Sequence, residues 1–319
     1  MRIIPRWHGF LKSTNSLNSI PKSRTNLTAI KINTSSAFEI FLSKSILIHI
    51  PNCYLEGLSE LITVSRSLPN TKVIHTANAY IYNERFKVWS AFQVAHNAKL
   101  IISSHGSAFY PLYNNFNHEE KISFLRVVWG ETWLDNQVRL PANKIHFKIK
   151  NYKCDGQISL IDYEATRYGF RCASGPVGPL VLNVVNENIK LLGCLELNGL
   201  LGNVRIRVKG LNSWETKLRY QNAYDSNIFC SEKKQIDTIK KSKIIICTYP
   251  QTSFSEAMYS GVPTILFYDE ELWEVQEIYH SLIKDLKENN IIFTDAQEAA
   301  DHILSINNNP MMWWEMEHT

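Results

Sequence analysis

Thr252, Ser253 and Glu256 stand in the stretch "TYPQTSFSEAMYSGVPTILF", residues 248 to 267, directly after the apolar run "KIIIC". A polar turn between an apolar strand and a short helix can do one of two things. Its backbone N–H groups suit a phosphate, and a carboxylate one turn further along suits a hydroxyl. Alternatively, Ser253-x-x-Glu256 is a capping box, in which serine and glutamate only satisfy the orphan donors at a helix start. Gly261 then fits the C-cap, and Pro263 prevents continuation. The stretch alone leaves both readings open.

Other residue types at telling positions extend the question. In "NVRIRVKG" the cations Arg205, Arg207 and Lys209 alternate with Val204, Ile206 and Val208, so a period of two places all three on one strand face. Such a face can clamp a diphosphate, since arginine offers bidentate contacts to phosphate oxygens, or simply protect a sheet edge. Arg167 and Arg171, in "EATRYGFRCASG", follow the first strand of the same half and can approach the same site. His105 and Gly106 end "KLIISSHG". A histidine there titrates near neutrality and suits a general base, and the glycine lets backbone pass close to a ligand. Asn78 and Glu84 flank a turn in "TANAYIYNERFKVW", where Glu84 also serves as a first-turn carboxylate complementing the helix dipole.

Several chemistries find no support. There is no Walker loop, no G-x-G-x-x-G and no D-x-D carboxylate pattern, so neither a metal nor a cofactor is expected. The six cysteines, Cys53, Cys154, Cys172, Cys194, Cys230 and Cys247, show no C-x-x-C pair or zinc-ligand spacing and read as reduced thiols, with Cys247 in the core. Trp129, Trp133, Trp273, Trp313 and Trp314 read as core and docking residues.

The elements that must position these residues alternate. "SILIHIP", "KVIHTAN", "KLIISSHG" and "FLRVVWG" read as strands, separated by the helices "YLEGLSELITVSRSL" and "NERFKVWSAFQVAHN". Residues 131 to 156 break the series. A second series follows, with strands "QISLIDYE", "NVRIRVKG", "NIFCS", "KIIICTY" and "PTILFYD". The helix in "GPLVLNVVNENIKLLGCLE" has its apolar spacing at Leu180, Val184, Ile189 and Leu192; "EKKQIDTIKK", "ELWEVQEIYHSLIKDLKEN" and "DAQEAADHILSI" read as further helices. Alternation of this kind predicts α/β units with parallel sheets. We expect a basic, disordered leader over 1–45, an N-terminal Rossmann-like domain over 46–140, a linker over 141–156, and a C-terminal Rossmann-like domain over 157–319, the two domains facing a cleft.

Charge sharpens the division. Residues 1 to 38 hold six of the 34 basic residues and none of the 30 acidic ones. The folded remainder is near neutral, which argues against a nucleic-acid surface. No apolar run approaches the ~20 residues that span a bilayer. A cytoplasmic protein with peripheral attachment to the inner face of a membrane is expected, and organelle targeting by residues 1–38 is an alternative.

Taken together, "IPNCYLEGLSELI", "TANAYIYNERFKVWSAFQVAHNAKLIISSHGSAF", "RYGFRCASGP", "TYPQTSFSEAMYSGVPTILFYDEELWEV" and "NNNPMMWW" resemble, in this order, the surface-polysaccharide (O-antigen) biosynthesis transferases. Those proteins are related to glycosyltransferases of the GT-B architecture. The resemblance, from about residue 46 to the end, assigns family positions to Asn78, Glu84, Lys87 and Trp89, to His105 and Gly106, to Arg167, Tyr168 and Arg171, and to Thr252, Ser253 and Glu256. Two features depart from it: Ser107, Ala108 and Phe109 replace a glycine-rich run, and the amino end is shorter, so that the first domain is expected to be incomplete. The resemblance implies a metal-independent transfer of sugar from a nucleotide-sugar donor to a glycan or lipid-linked glycan. In that scheme Arg167, Arg171, Arg207, Lys209, Thr252, Ser253 and Glu256 bind donor, His105 and Glu84 are catalytic, and Asn78 and Gly106 line the cleft. The alternatives are a sugar-nucleotide epimerase of similar architecture and a shortened, inactive relative acting as an interaction protein.

Overall fold

The computed structural model describes residues 35–106, 116–140, 148–165, 167, 175–209 and 214–316. Along the chain, α1 (Ala37–His49) and α2 (Leu58–Arg66) precede β1 (Val73–Thr76). Then come α3 (Ala79–Tyr82), α4 (Glu84–Ala95), β2 (Lys99–Ser103), α5 (Phe116–Ile122), β3 (Leu125–Val128) and β4 (Gln137–Arg139). The four strands form a parallel sheet in the order β1-β2-β3-β4.

A second sheet begins with β5 (Gln157–Tyr163), followed by α6 (Leu180–Leu197), β6 (Val204–Lys209), α7 (Thr216–Ala223), α8 (Gln235–Lys241) and β7 (Ser242–Cys247). It continues through α9 (Thr252–Ser260), β8 (Thr264–Phe267), α10 (His280–Glu288), β9 (Ile292–Phe293), α11 (Ala296–Ile306) and α12 (Pro310–Trp314). Its strands are also parallel, in the order β6-β5-β7-β8-β9. The fold class is therefore α/β with two Rossmann-like parallel sheets. Contacts divide the chain into two compact units, 1–72 with 79–97 and 73–78 with 98–319. Both sheets belong to the second.

The central strand β7 is buried along its whole length, with Ile244, Ile245, Ile246 and Cys247 fully enclosed. A parallel strand covered on both faces needs this continuous apolar run. Against it packs the core of the second sheet, which takes in Leu191, Leu192 and Leu195 from α6 and Ala299, Ala300 and Ile303 from α11. The buried stripe of α6 is Val181, Val185, Leu191, Leu192 and Leu195, one position off the expected phase, and Leu180 is exposed.

Four other expectations are corrected. "SILIHIP" is not a strand but runs through the end of α1, a helix that starts within the expected leader and is capped by the Ser36 hydroxyl accepting from Glu39 N at 3.4 Å. No turn separates the two segments, so the helix continues through the β-branched residues. The stretch 131–156 contributes the parallel edge strand β4. "NIFCS" makes only the bridge between Ile206 and Phe229, and the helix expected from "ELWEV" onward starts at His280 after a single 3-10 turn. Among the tryptophans, Trp273 and Trp313 are buried as expected, whereas Trp133 is exposed.

Candidate functional site

The order of the second sheet places its switch point between β5 and β7, because the chain leaves β5 for β6 on one side and returns to β7 on the other. Open α/β sheets form a crevice outside the strand carboxyl ends at such a point. Here the two ends are tied together. Asp162 accepts from the Thr248 hydroxyl at 2.8 Å, from Tyr163 N at 2.8 Å and from the Tyr220 hydroxyl at 2.7 Å. Burial pushes the Asp162 carboxyl above its ordinary range, although each of these donors works against that shift. Tyr163, Tyr249 and Trp273 cluster at the same end, with ring centroids 4.6 to 6.1 Å apart. Gly175, at φ 139°, is required there: a Cβ would meet the Trp273 ring.

From β7 the chain turns into α9. The capping box is not formed. Gln251 is the N-cap, and no side chain caps the helix. Ser253 is instead the second helical residue and buried, with its hydroxyl 2.5 Å from the Tyr249 hydroxyl and donating to Gln235 Oε1 at 3.4 Å. Gln235 Nε2 in turn donates to Glu256 Oε2 at 2.9 Å. The first residue of α8 thus fixes both the serine and the glutamate of α9. The expected C-cap is present, with Gly261 left-handed at φ 76°.

Glu256, Gln235, Arg207 and Lys209 line one pocket of about 880 Å³, between β6 and the turn entering α8. Lys217, Lys233, Lys234 and Lys240 add cations to it. Its acids besides Glu256 reduce to Glu232: burial, the largest single influence, works to raise that carboxyl, but the hydrogen bond from Lys241 Nζ at 2.5 Å, a backbone hydrogen bond, the Lys241 charge and the Ser231 hydroxyl together hold the group below its usual range. The wall residue Cys230 is pushed up to about 11, by burial first and then by Glu232, so its thiol stays protonated. A cation-rich pocket with one oriented carboxylate can neutralise phosphate while accepting from a hydroxyl. A smaller cavity of about 340 Å³ takes in Thr248, Tyr268, Asp269 and Thr294.

The remaining expected residues fall as follows. Arg207 spends its guanidinium on the loop before α8, donating to Glu232 O at 2.7 Å and Lys233 O at 3.0 Å. Lys209 is exposed at the end of β6. Arg167 lies over the Trp214 ring at 5.1 Å. Arg171 and Tyr168, with Ser107, Ala108 and Phe109, lie outside the described residues. His105 is exposed just past β2, and a Cβ on neighbouring Gly106 would collide with the Thr252 hydroxyl. The His-Gly turn therefore lies beside the start of α9. Asn78 follows β1, and Glu84 opens α4, where it pairs with Lys87 at 2.6 Å. Sequence reasoning passed over Gln235, Lys233, Lys234 and Lys240 because "EKKQIDTIKK" reads as a solvated helix, and Lys217 stands outside that stretch. The density of lysine before an apolar strand was the available signal.

The all-parallel second sheet, its switch point and the cation-lined pocket define a Rossmann-like α/β protein with a ligand-sized polar site. The chain belongs to the LIC12162 family of transferases, whose profile matches residues 1–319. No match is found among curated protein sequences. Among solved structures, that of a mutant S. aureus TarM in complex with Fondaparinux, alpha-GlcNAc-glycerol and UDP is 13% identical with a TM-score of 0.48, over 80% of this chain and 52% of that one. The pneumococcal O-GlcNAc transferase GtfA in complex with UDP and GlcNAc is 13% identical with a TM-score of 0.39, over 80% and 57%. A glycosyltransferase from Rickettsia africae is 13% identical with a TM-score of 0.38, over 89% and 78%. The chain spans just over half the length of the first two, and likenesses of this size carry no argument about activity.

Proposed function

We propose that the protein is a glycosyltransferase that moves a sugar from a nucleotide-sugar donor to a surface glycan or lipid-linked glycan, as in O-antigen and polysaccharide biosynthesis. The observation that carries this reading is the arrangement of Glu256, held by Gln235, in a pocket ringed by lysines beside the start of α9. Residues 157–319 serve as the donor domain and 46–140 as the acceptor domain. Glu256 accepts from a ribose or sugar hydroxyl, and Lys209 with Arg167 and Arg171 neutralises the leaving phosphate. Thr252 and Ser253 supply the turn whose N–H groups face that phosphate. Arg207 holds the pocket wall. His105 is the base that deprotonates the acceptor hydroxyl, and Glu84 is assigned a catalytic part by the family pattern. Transfer then leaves a nucleoside diphosphate and a lengthened glycan.

Calorimetric titration with a panel of uridine, guanosine, cytidine and adenosine nucleotide-sugars tests the reading. Saturable binding of one donor class, weakened by Glu256→Gln, is expected. No binding across the panel sinks it.

A further inference from the structure

Glu164 follows β5 directly and is buried. Its backbone N–H donates to Lys209 O at 3.0 Å, which carries the β5–β6 pairing to the strand ends. The carboxylate reaches α7 instead. One oxygen, Oε1, accepts from Trp214 N at 2.5 Å and from both Thr216 N and the Thr216 hydroxyl at 3.2 Å. The N-cap residue of α7, Glu215, is left-handed at φ 54° and supplies no side-chain cap. A carboxylate from the end of β5 therefore does what the helix's own cap residue does not.

Capping accounts for the bonds to Thr216 but not for the grip on Trp214, which precedes the helix. The Trp214 N–H is held by Glu164, and its carbonyl accepts from Arg219 Nε at 3.0 Å. Its ring is buried, and the indole N–H has no hydrogen-bond partner among the described residues. The polar contacts that place this residue are thus those of its backbone. On the ring lies the Arg167 guanidinium, 5.1 Å from the centroid, where a cation is attracted to the ring face. Arg167 itself is exposed, and the group of residues begins beside Lys209, a cation of the pocket wall. An arginine already resting on a fixed ring loses less side-chain freedom when it meets an anion. We infer that Glu164 is a positioning residue: by fixing Trp214 it fixes the platform under Arg167 and so strengthens the hold on a diphosphate, a role that rests on the proposed contact between Arg167 and the donor phosphates.

Calorimetric titration of the full chain with pyrophosphate tests it. Wild type binds, and Glu164→Ala binds about fivefold more weakly. Charge alone predicts the reverse, because removing a carboxylate near a bound anion strengthens binding. Glu164→Gln, whose amide oxygen still accepts from Trp214 N, keeps at least the wild-type affinity. Trp214→Leu, which retains the backbone bond to Glu164 but not the aromatic face, matches the loss in Glu164→Ala and decides the question should that variant fail to fold. Arg167→Ala binds about tenfold more weakly, and in its background neither Glu164→Ala nor Trp214→Leu weakens binding further. The inference is overturned by unchanged or tighter binding in Glu164→Ala, by an equal loss in Glu164→Gln, by losses that add in full to that of Arg167→Ala, or by a wild type that does not bind pyrophosphate. Non-additive losses in a chain that binds no nucleotide-sugar uphold the platform and sink the donor reading. Nucleotide-sugar binding that Glu256→Gln weakens and Glu164→Ala leaves intact does the opposite.

Discussion

Glu256 is nearly buried, and a buried carboxylate is useful only when its direction is fixed. Gln235 supplies one donor for that purpose at 2.9 Å. Replacing Gln235 with alanine removes a hydrogen bond to a charged group, worth about 1.5 to 3 kcal/mol. We expect Gln235→Ala to weaken binding of a ribonucleotide donor by roughly tenfold, while a 2′,3′-dideoxy analogue, which has no hydroxyl for Glu256, binds variant and wild type alike. Calorimetry with the matched pair checks this; equal losses for both nucleotides would show that Gln235 only shapes the wall. Ser253→Ala breaks the contact with Tyr249 and Gln235 rather than a cap, so its cost is that of a buried neutral hydrogen bond, about 0.5 to 1.5 kcal/mol in urea unfolding. The sequence made Ser253 and Glu256 visible but misread their local role. The pattern S-x-x-E does not say at which residue the backbone turns helical, and the helix starts two residues earlier than a Ser253 cap requires. Their true partners, Tyr249 and Gln235, include one 18 positions or more away.

At the scale of elements, two arginines brace loops and helices against strands. Arg207 ties β6 to the segment entering α8 through two backbone carbonyls. Arg207→Ala leaves both without their donors, and we expect about 1 to 3 kcal/mol of lost stability by urea unfolding. Arg207→Lys should recover little, because an ammonium cannot span both carbonyls as a planar fork does. Full recovery by lysine would show that charge, not geometry, is the contribution. Arg126 of β3 is completely buried; it donates to Ile102 O at 3.1 Å and pairs with Glu119 of α5. The elements most legible from sequence were the long apolar strands of the second sheet, since burial on both faces demands an unbroken β-branched run. The strands missed were β4 and β9, of three and two residues. Their pairing depends on neighbouring strands rather than on any pattern of their own. The phase of α6 was off by one because its flanking leucine and valine pairs fit two adjacent stripes equally well.

For the molecule as a whole, a half-buried histidine and a buried glutamate give stability opposite dependences on pH. His302 of α11 lies 5.2 Å from the Phe293 ring and 4.8 Å from that of Trp313, and burial pushes it down to about 4 from 6.5. The unfolded chain then binds more protons between those values. Stability from keeping His302 neutral is complete above 6.5 and is lost as pH falls through about 4. After allowance for its partial exposure, this amounts to about 1 to 2 kcal/mol. Glu119 works the other way. Burial raises it from 4.5 to about 7 despite the attraction of Arg126, so its contribution is complete below 4.5 and is lost as pH rises through about 7. Between about pH 4.5 and 6.5 these two slopes oppose each other, and the raised carboxyl of Asp162 adds to the falling one. Single variants should expose each slope. His302→Phe removes the rising contribution, so stability should fall more steeply than in the wild type as pH rises across that window, by about 1 to 2 kcal/mol more. Glu119→Gln removes one falling contribution while that of Asp162 remains, so its slope should be shifted upward relative to that of the wild type. Urea unfolding at half-unit pH steps measures both, and a slope that moves the opposite way from the wild type in either variant would show that its assignment is wrong.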